Sequence, residues 1–154
     1  MSRGEKLREP SLRDELLAMA ARPAAATHAD RLWAILDDYE CWPGIRLVGA
    51  DGEEAAWLIA QLGDLGLQQR CLELLEIAVE GGDAPPAHLA ALLDRVRMAE
   101  GREQVYGTQF VASSVDTLEP WPIAAPETVE ARRQRVGLPP LAQQQAAMNR
   151  RYRS

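Results

Sequence analysis

The sequence predicts a mainly α protein: a compact bundle of five or six helices with one small β-hairpin near residues 104–123. Three observations lead there. Apolar residues recur at helical spacing in segment after segment, as in Leu32, Ile35, Leu36 and Tyr39. Alanine and leucine, both strong helix formers, are abundant. Only the stretch from Gln104 to Ile123 departs, being rich in Val, Tyr, Thr and Phe and interrupted by turn residues.

In chain order, residues 1–10 are polar, end in Pro10 and are expected to be flexible. Ser11-Leu12-Arg13-Asp14 resembles a capping box and opens a helix to about Ala21, closed near Pro23. Thr27 is a candidate N-cap for a helix ending at Trp42-Pro43-Gly44. Ile45–Val48 reads as a short extended piece. Asp51-Gly52-Glu53-Glu54 is a second capping box, leading through Ala55, Trp57, Leu58 and Ile59 to Leu62. A further helix, about Leu67 to Glu80, places Leu67, Cys71, Leu74, Leu75 and Ala78 on one face before Gly81-Gly82. Asp83 then caps a helix entered through Pro85-Pro86, with Leu89, Leu92, Leu93 and Val96 as its stripe and Gly101 beyond its end. Gln104 to Ala112 reads as a strand. Leu118 to Ile123 reads as its return, held to an edge by Pro120 and Pro122. Helices over about 128–136 and from Pro139-Pro140 to Arg151 complete the chain, which at 154 residues is expected to be a single domain.

The net charge of −6 argues against nucleic-acid binding, which needs a basic face. It is unevenly distributed. Residues 131–154 hold six arginines and no Asp or Glu, so this basic C-terminal tail carries +6 and the remainder −12. Two readings fit: a helix lying on its own acidic body, or a dock for an acidic partner. No apolar run is long enough to span a membrane. Without a signal-peptide pattern the expected location is cytoplasmic. Cys41, Cys71, His28 and His88 are scattered, form no zinc pattern and point to no metal or other cofactor. Both histidines fall near helix starts, where exposed His is common, so neither is expected to be catalytic.

The densest polar cluster is Asp94-Arg95-Val96 followed by Gln104-Val105-Tyr106-Gly107-Thr108-Gln109. Polar groups beside a core need partners. The cluster therefore reads either as a satisfied structural network or as a pocket wall. In the pocket reading, Asp94 and Tyr106 are the acid/base candidates. Gln104, Gln109, Thr108 and Arg95 would hold a small polar ligand, Trp42 would offer an apolar surface, and Gln61 stands at a helix end beside Asp64. A regular strand would put Gln104, Tyr106 and Thr108 on one face and Gln109 on the other. The composition of Ala, Arg and Pro suggests a bacterium rich in G and C, and a role in specialised metabolism is one expectation.

Trp42-Pro43-Gly44, Val48-Gly49 with Asp51-Gly52, Ala56-Trp57-Leu58 with Gln61, Asp94-Arg95-Val96, Tyr106-Gly107-Thr108-Gln109, Arg132-Arg133 and Gly137-Leu138-Pro139-Pro140-Leu141 together resemble a bacterial family known only as domain of unknown function 6624. The resemblance runs from about Asp30 to Met148. It implies a shared fold and brings no established activity. The family pattern places His after the Gln at 61 and Gly at 41, where this chain has Leu62 and Cys41. The expected function is binding of a small polar molecule, with cofactor-independent acid/base chemistry as one form of it. The alternative is a non-catalytic protein–protein interaction module.

Overall fold

The computed structural model describes residues 7–23 and 25–154. Most of the N-terminal segment expected to be flexible lies outside these residues. The chain divides into two compact units, residues 1–88 and 89–154, and the division falls within a helix. Among the described residues there are seven α-helices, a two-stranded antiparallel sheet and one 3-10 turn. The fold is mainly α with a small hairpin, as expected, with one or two more helices than the five or six read from sequence. No helix among the described residues is long and apolar enough to cross a membrane.

The first unit holds α1 (Pro10–Ala20), α2 (His28–Tyr39), α3 (Ile45–Gln61), α4 (Leu65–Glu80) and the start of α5 (Pro86–Ala99). Proline in the first turn of α1 costs no hydrogen bond there. Helix α1 lies along α3, while α2 packs on both α3 and α4. Leu12, Leu16, Leu32, Ile35, Leu36, Val48, Ile59 and Leu75 fill this core. Gly52 leaves room for Val48 of the preceding turn, since a Cβ there would stand 2.8 Å from Val48 Cβ. Residues 45–48 are helical rather than extended. Gly49, at φ 79°, is the non-helical residue that bends α3 behind them, a conformation glycine adopts without steric cost. Asp51 does not close the expected box: its carboxylate takes the neighbouring Gly52 amide at 2.8 Å and pairs with Arg13 of α1.

Ion pairs decorate the rim. Arg70 of α4 meets Asp37 of α2 at 2.8 Å and lies over the Trp33 ring. Arg31 holds both Glu15 oxygens, at 2.5 and 2.8 Å, and thereby keeps the Glu15 carboxyl below its ordinary range. A depressed folded-state value means stability present above the unfolded value and lost as pH falls through the folded one. Both side chains are about two-fifths exposed (41% and 38%), so solvent screens the pair. Glu15→Gln should therefore lower stability by under about 1 kcal/mol at neutral pH. Thermal melts should show that deficit vanishing in acid; a deficit that persists there would contradict the assignment.

The second unit contains the remainder of α5, a loop, β1 (Phe110–Ser114), β2 (Thr117–Pro120), the 3-10 turn at Pro126–Thr128, α6 (Val129–Arg135) and α7 (Leu141–Arg153). Register runs Phe110 opposite Pro120 and Ala112 opposite Leu118, with an irregularity before Ser114. Both strands are shorter than predicted. Gln104 to Gln109 forms no strand beyond a lone parallel bridge from Gln104 to Ile123, so the alternation of faces expected there does not occur. Helix α7 lies on β2, where Asn149 Oδ1 accepts from the Leu118 amide at 2.6 Å.

Candidate functional site

The sequence-predicted residues are divided between the units. Trp42 and Gln61 belong to the first; Asp94, Arg95, Gln104, Tyr106, Thr108 and Gln109 belong to the second.

In the second unit the polar cluster is closed upon itself. Asp94, fully buried, accepts from the backbone amides of Val105 (2.8 Å), Tyr106 (3.1 Å) and Thr108 (3.1 Å) and from Thr108 Oγ1 (2.8 Å). The carboxylate acts as a template that bends residues 105–108 around itself, which is why they do not extend into a strand. Gln104 completes the loop. Its Oε1 accepts from the Gln109 amide at 2.9 Å, and its Nε2 donates to Gln109 O at 3.0 Å and Trp121 O at 2.7 Å. Gln109 Nε2 donates to Thr108 Oγ1 at 3.1 Å, and its Oε1 takes a long 3.4 Å contact from Arg95. Tyr106 contributes its backbone: its amide goes to Asp94, and its carbonyl accepts from Arg133 at 2.8 Å.

Two of the tail arginines belong to this same scaffold. Arg133, at 1% exposure, also donates to Pro139 O at 2.8 Å and Gln144 Oε1 at 2.5 Å. Burial pulls its guanidinium below the ordinary arginine value. Arg132 binds Val105 O at 2.8 Å and Ala124 O at 2.6 Å. Gly107, at φ 71°, fits where a Cβ would meet Ile123 and Leu141 at 3.1 Å.

The first unit holds a different arrangement, one that the sequence reading passed over. Glu53 of α3 is completely buried. Its Oε2 accepts from Trp42 Nε1 at 3.0 Å. Its Oε1 stands 2.7 Å from His88 Nδ1, at the start of α5. Neither of those two atoms has a well-aligned hydrogen bond among the described residues; their short approach to one another is what offsets their burial. Trp57, one turn beyond Glu53, stacks on the imidazole at 4.2 Å between centroids and 9° between planes. Its own Nε1 donates to His88 O at 3.0 Å. Glu53 and Trp57 thus hold the ring directly, and Trp42 acts on it only through Glu53. Nδ1 is buried while the side chain as a whole keeps 14% exposure.

A buried carboxylate is costly unless paired. Here it is spent on a histidine rather than on a backbone segment. The signal was present in the sequence: Glu53, Ala56, Trp57 and Ala60 share the i, i+3, i+4, i+7 stripe of α3, which places a carboxylate at a core position. Reading Glu53 as part of a capping box concealed it.

The two cysteines differ in setting. Cys71 is buried, and desolvation pushes its thiol up to about 12. Cys41 is exposed beside Trp42. Gln61 offers its backbone carbonyl to Gln68 Nε2 at 2.8 Å, and Asp64 caps α4 by accepting the Leu67 amide at 2.9 Å. Among the described residues no three of His, Cys, Asp and Glu converge as a metal-binding group would.

The model of the Family of unknown function (DUF6624) matches residues 10–153. The chain belongs to that family. No curated protein and no solved structure matches it. Within this DUF6624 chain, both arrangements, the Asp94 loop and the Glu53–His88 pair, lie inside the matched residues.

Proposed function

We propose that this DUF6624 protein binds a small polar molecule and that His88 moves a proton to or from it, without a cofactor. The observation that carries the reading is the buried Glu53 carboxylate 2.7 Å from His88 Nδ1. A carboxylate there favours the tautomer with the proton on Nδ1, which leaves the Nε2 lone pair as a base. Nε2 takes a proton from the bound molecule, and the proton then returns to product or to water. Stacking on Trp57 holds the ring in one plane. In this reading Asp94 and Tyr106 are scaffold: the Asp94 oxygens are occupied by amides and a hydroxyl, and the Tyr106 backbone is tied at both ends.

A thermal-shift screen of wild type and His88→Gln against small polar metabolites tests this. A compound that binds the native state raises its melting temperature. The expected result is one chemical class that stabilises wild type and has no effect on the variant. Equal stabilisation of both, or none of either, would contradict the assignment.

A second reading draws on α7, where Arg150, Arg151 and Arg153 are exposed and no residue is buried. Arg150 and Arg151, unlike Arg132 and Arg133, are left for an acidic protein partner, and Arg153, whose charge already helps to lower the Asp116 carboxyl, lies beside them. Neutralising the three should then abolish partner capture while the fold stays intact.

A further inference from the structure

The turn joining α2 to α3 and the end of α4 border a cleft of about 220 Å3. By comparison, a cavity of about 150 Å3 suffices for a benzene ring. Its walls include Trp42, Leu74 and Ala78, and Ile77 is left 67% exposed among the lining residues. Leu74 and Ala78 belong to the predicted core stripe of α4, yet both are only half-buried.

Three charged side chains line the cleft: Glu40, Arg46 and Asp83. Arg46 is already engaged. Its Nη2 donates to Gly81 O at 2.6 Å, and its Nε lies 3.7 Å from Asp83 Oδ1. Asp83 Oδ1 also accepts the Arg46 amide at 2.8 Å, while its Oδ2 and the exposed Glu40 carboxylate accept nothing among the described residues. Asp83 is held in place by packing, since a Cβ on Gly44 would meet its carboxylate at 2.0 Å and its backbone oxygen at 2.8 Å. Helices α2 and α4 both end here, after Tyr39 and Glu80, and helix C-termini carry partial negative charge. The N-terminus of α3, which begins at Ile45 and carries partial positive charge, and the Arg46 guanidinium are both set against Asp83; the Glu40 carboxylate and the two helix C-termini leave the balance of the cleft negative. The Cys41 thiol registers the same field: partial burial first, then the Asp83 charge, push it up.

We propose that this cleft binds a small organic cation, an amine or quaternary ammonium, with its apolar body against Trp42, Leu74 and Ile77 and its positive end toward Glu40 and Asp83. The inference stands apart from the proton-transfer reading, although the Trp42 indole that walls the cleft is the same one bound to Glu53 Oε2.

The test follows the Trp42 indole N–H and the backbone amides of Cys41, Ile77 and Ala78 by nuclear magnetic resonance. The probes are phenethylamine, phenylacetate and 2-phenylethanol, which share a body and differ in charge. The amine should give saturable shifts, with Kd of about 1 mM or tighter. The alcohol should bind about tenfold more weakly, and phenylacetate should not bind. Glu40→Gln and Asp83→Asn should each weaken the amine several-fold. Glu40→Gln alters an exposed side chain, and Asp83→Asn keeps an oxygen for the Arg46 amide, so both variants should fold. His88→Gln should leave amine binding intact, which separates this proposal from the preceding one. Equal binding of the alcohol or phenylacetate, or no shift with the amine at about 10 mM, would overturn it.

Discussion

Asp94→Ala should be among the most destabilising substitutions in the chain. It removes the acceptor for the amides of Val105, Tyr106 and Thr108 and for the Thr108 hydroxyl. These groups sit in a half-buried loop with no other partner placed to replace a carboxylate. Leaving buried donors unsatisfied costs about 1–3 kcal/mol each where water cannot reach them, and removing a buried, hydrogen-bonded charge costs about 3–5 kcal/mol in all. For a chain of this size that corresponds to a fall of roughly 10 °C in the melting transition that includes residues 89–154. Asp94→Asn should fall nearly as far, because its NH2 would face donors. Thr108→Val, which deletes only the hydroxyl bond, should cost about 1 kcal/mol. Differential scanning calorimetry of the three variants checks the order. An Asp94→Ala protein melting within a degree or two of wild type would show that the loop does not depend on this carboxylate.

Glu53→Ala should be comparably severe, for a different reason. It strands the Trp42 and His88 ring nitrogens, both facing a site from which Glu53 had excluded solvent. The expected cost is again about 3–5 kcal/mol. Glu53→Gln keeps the shape and one acceptor oxygen, so one of the two rings retains a partner and the loss should be nearer 1–3 kcal/mol. The decisive comparison is a double-mutant cycle with His88→Gln. Contacting residues of this kind couple by about 0.5–3 kcal/mol. Additive losses, with no coupling, would mean that Glu53 serves Trp42 alone.

These two carboxylates also mark what the sequence could and could not convey. The helices were legible because burial of one face imposes a period that the chain must repeat, and α2 shows it plainly; in α5 the helix was legible but its face was not, since Ala90, Ala91 and Asp94 are buried while Leu89 and Leu93 are only half-buried. The hairpin was legible from its β-branched and aromatic content. Residues 45–48 were misjudged because the glycine that bends α3 at position 49 resembles a break before a new helix. Residues 104–109 were misjudged because their composition favours a strand, whereas Asp94, distant in sequence, gathers their amides into a loop. Local pattern carries no information about that capture. The importance of Asp94 was readable from its place beside the Leu92 and Leu93 stripe; its partners, being backbone groups, were not. Glu53 and His88 are 35 positions apart, and only the packing of α3 beside the start of α5 brings them together. A carboxylate on a core stripe, one turn before a tryptophan, was the available clue.

The decisive property of His88 is which of its ring nitrogens carries the proton. Long-range 15N–1H correlation spectra of the neutral imidazole report this, in wild type and in Glu53→Gln. The prediction is a proton on Nδ1 and a free lone pair on Nε2 in wild type, with that preference weakened in the variant. A proton on Nε2 in wild type, or spectra unchanged by Glu53→Gln, would contradict the assignment of His88 as a base held by Glu53.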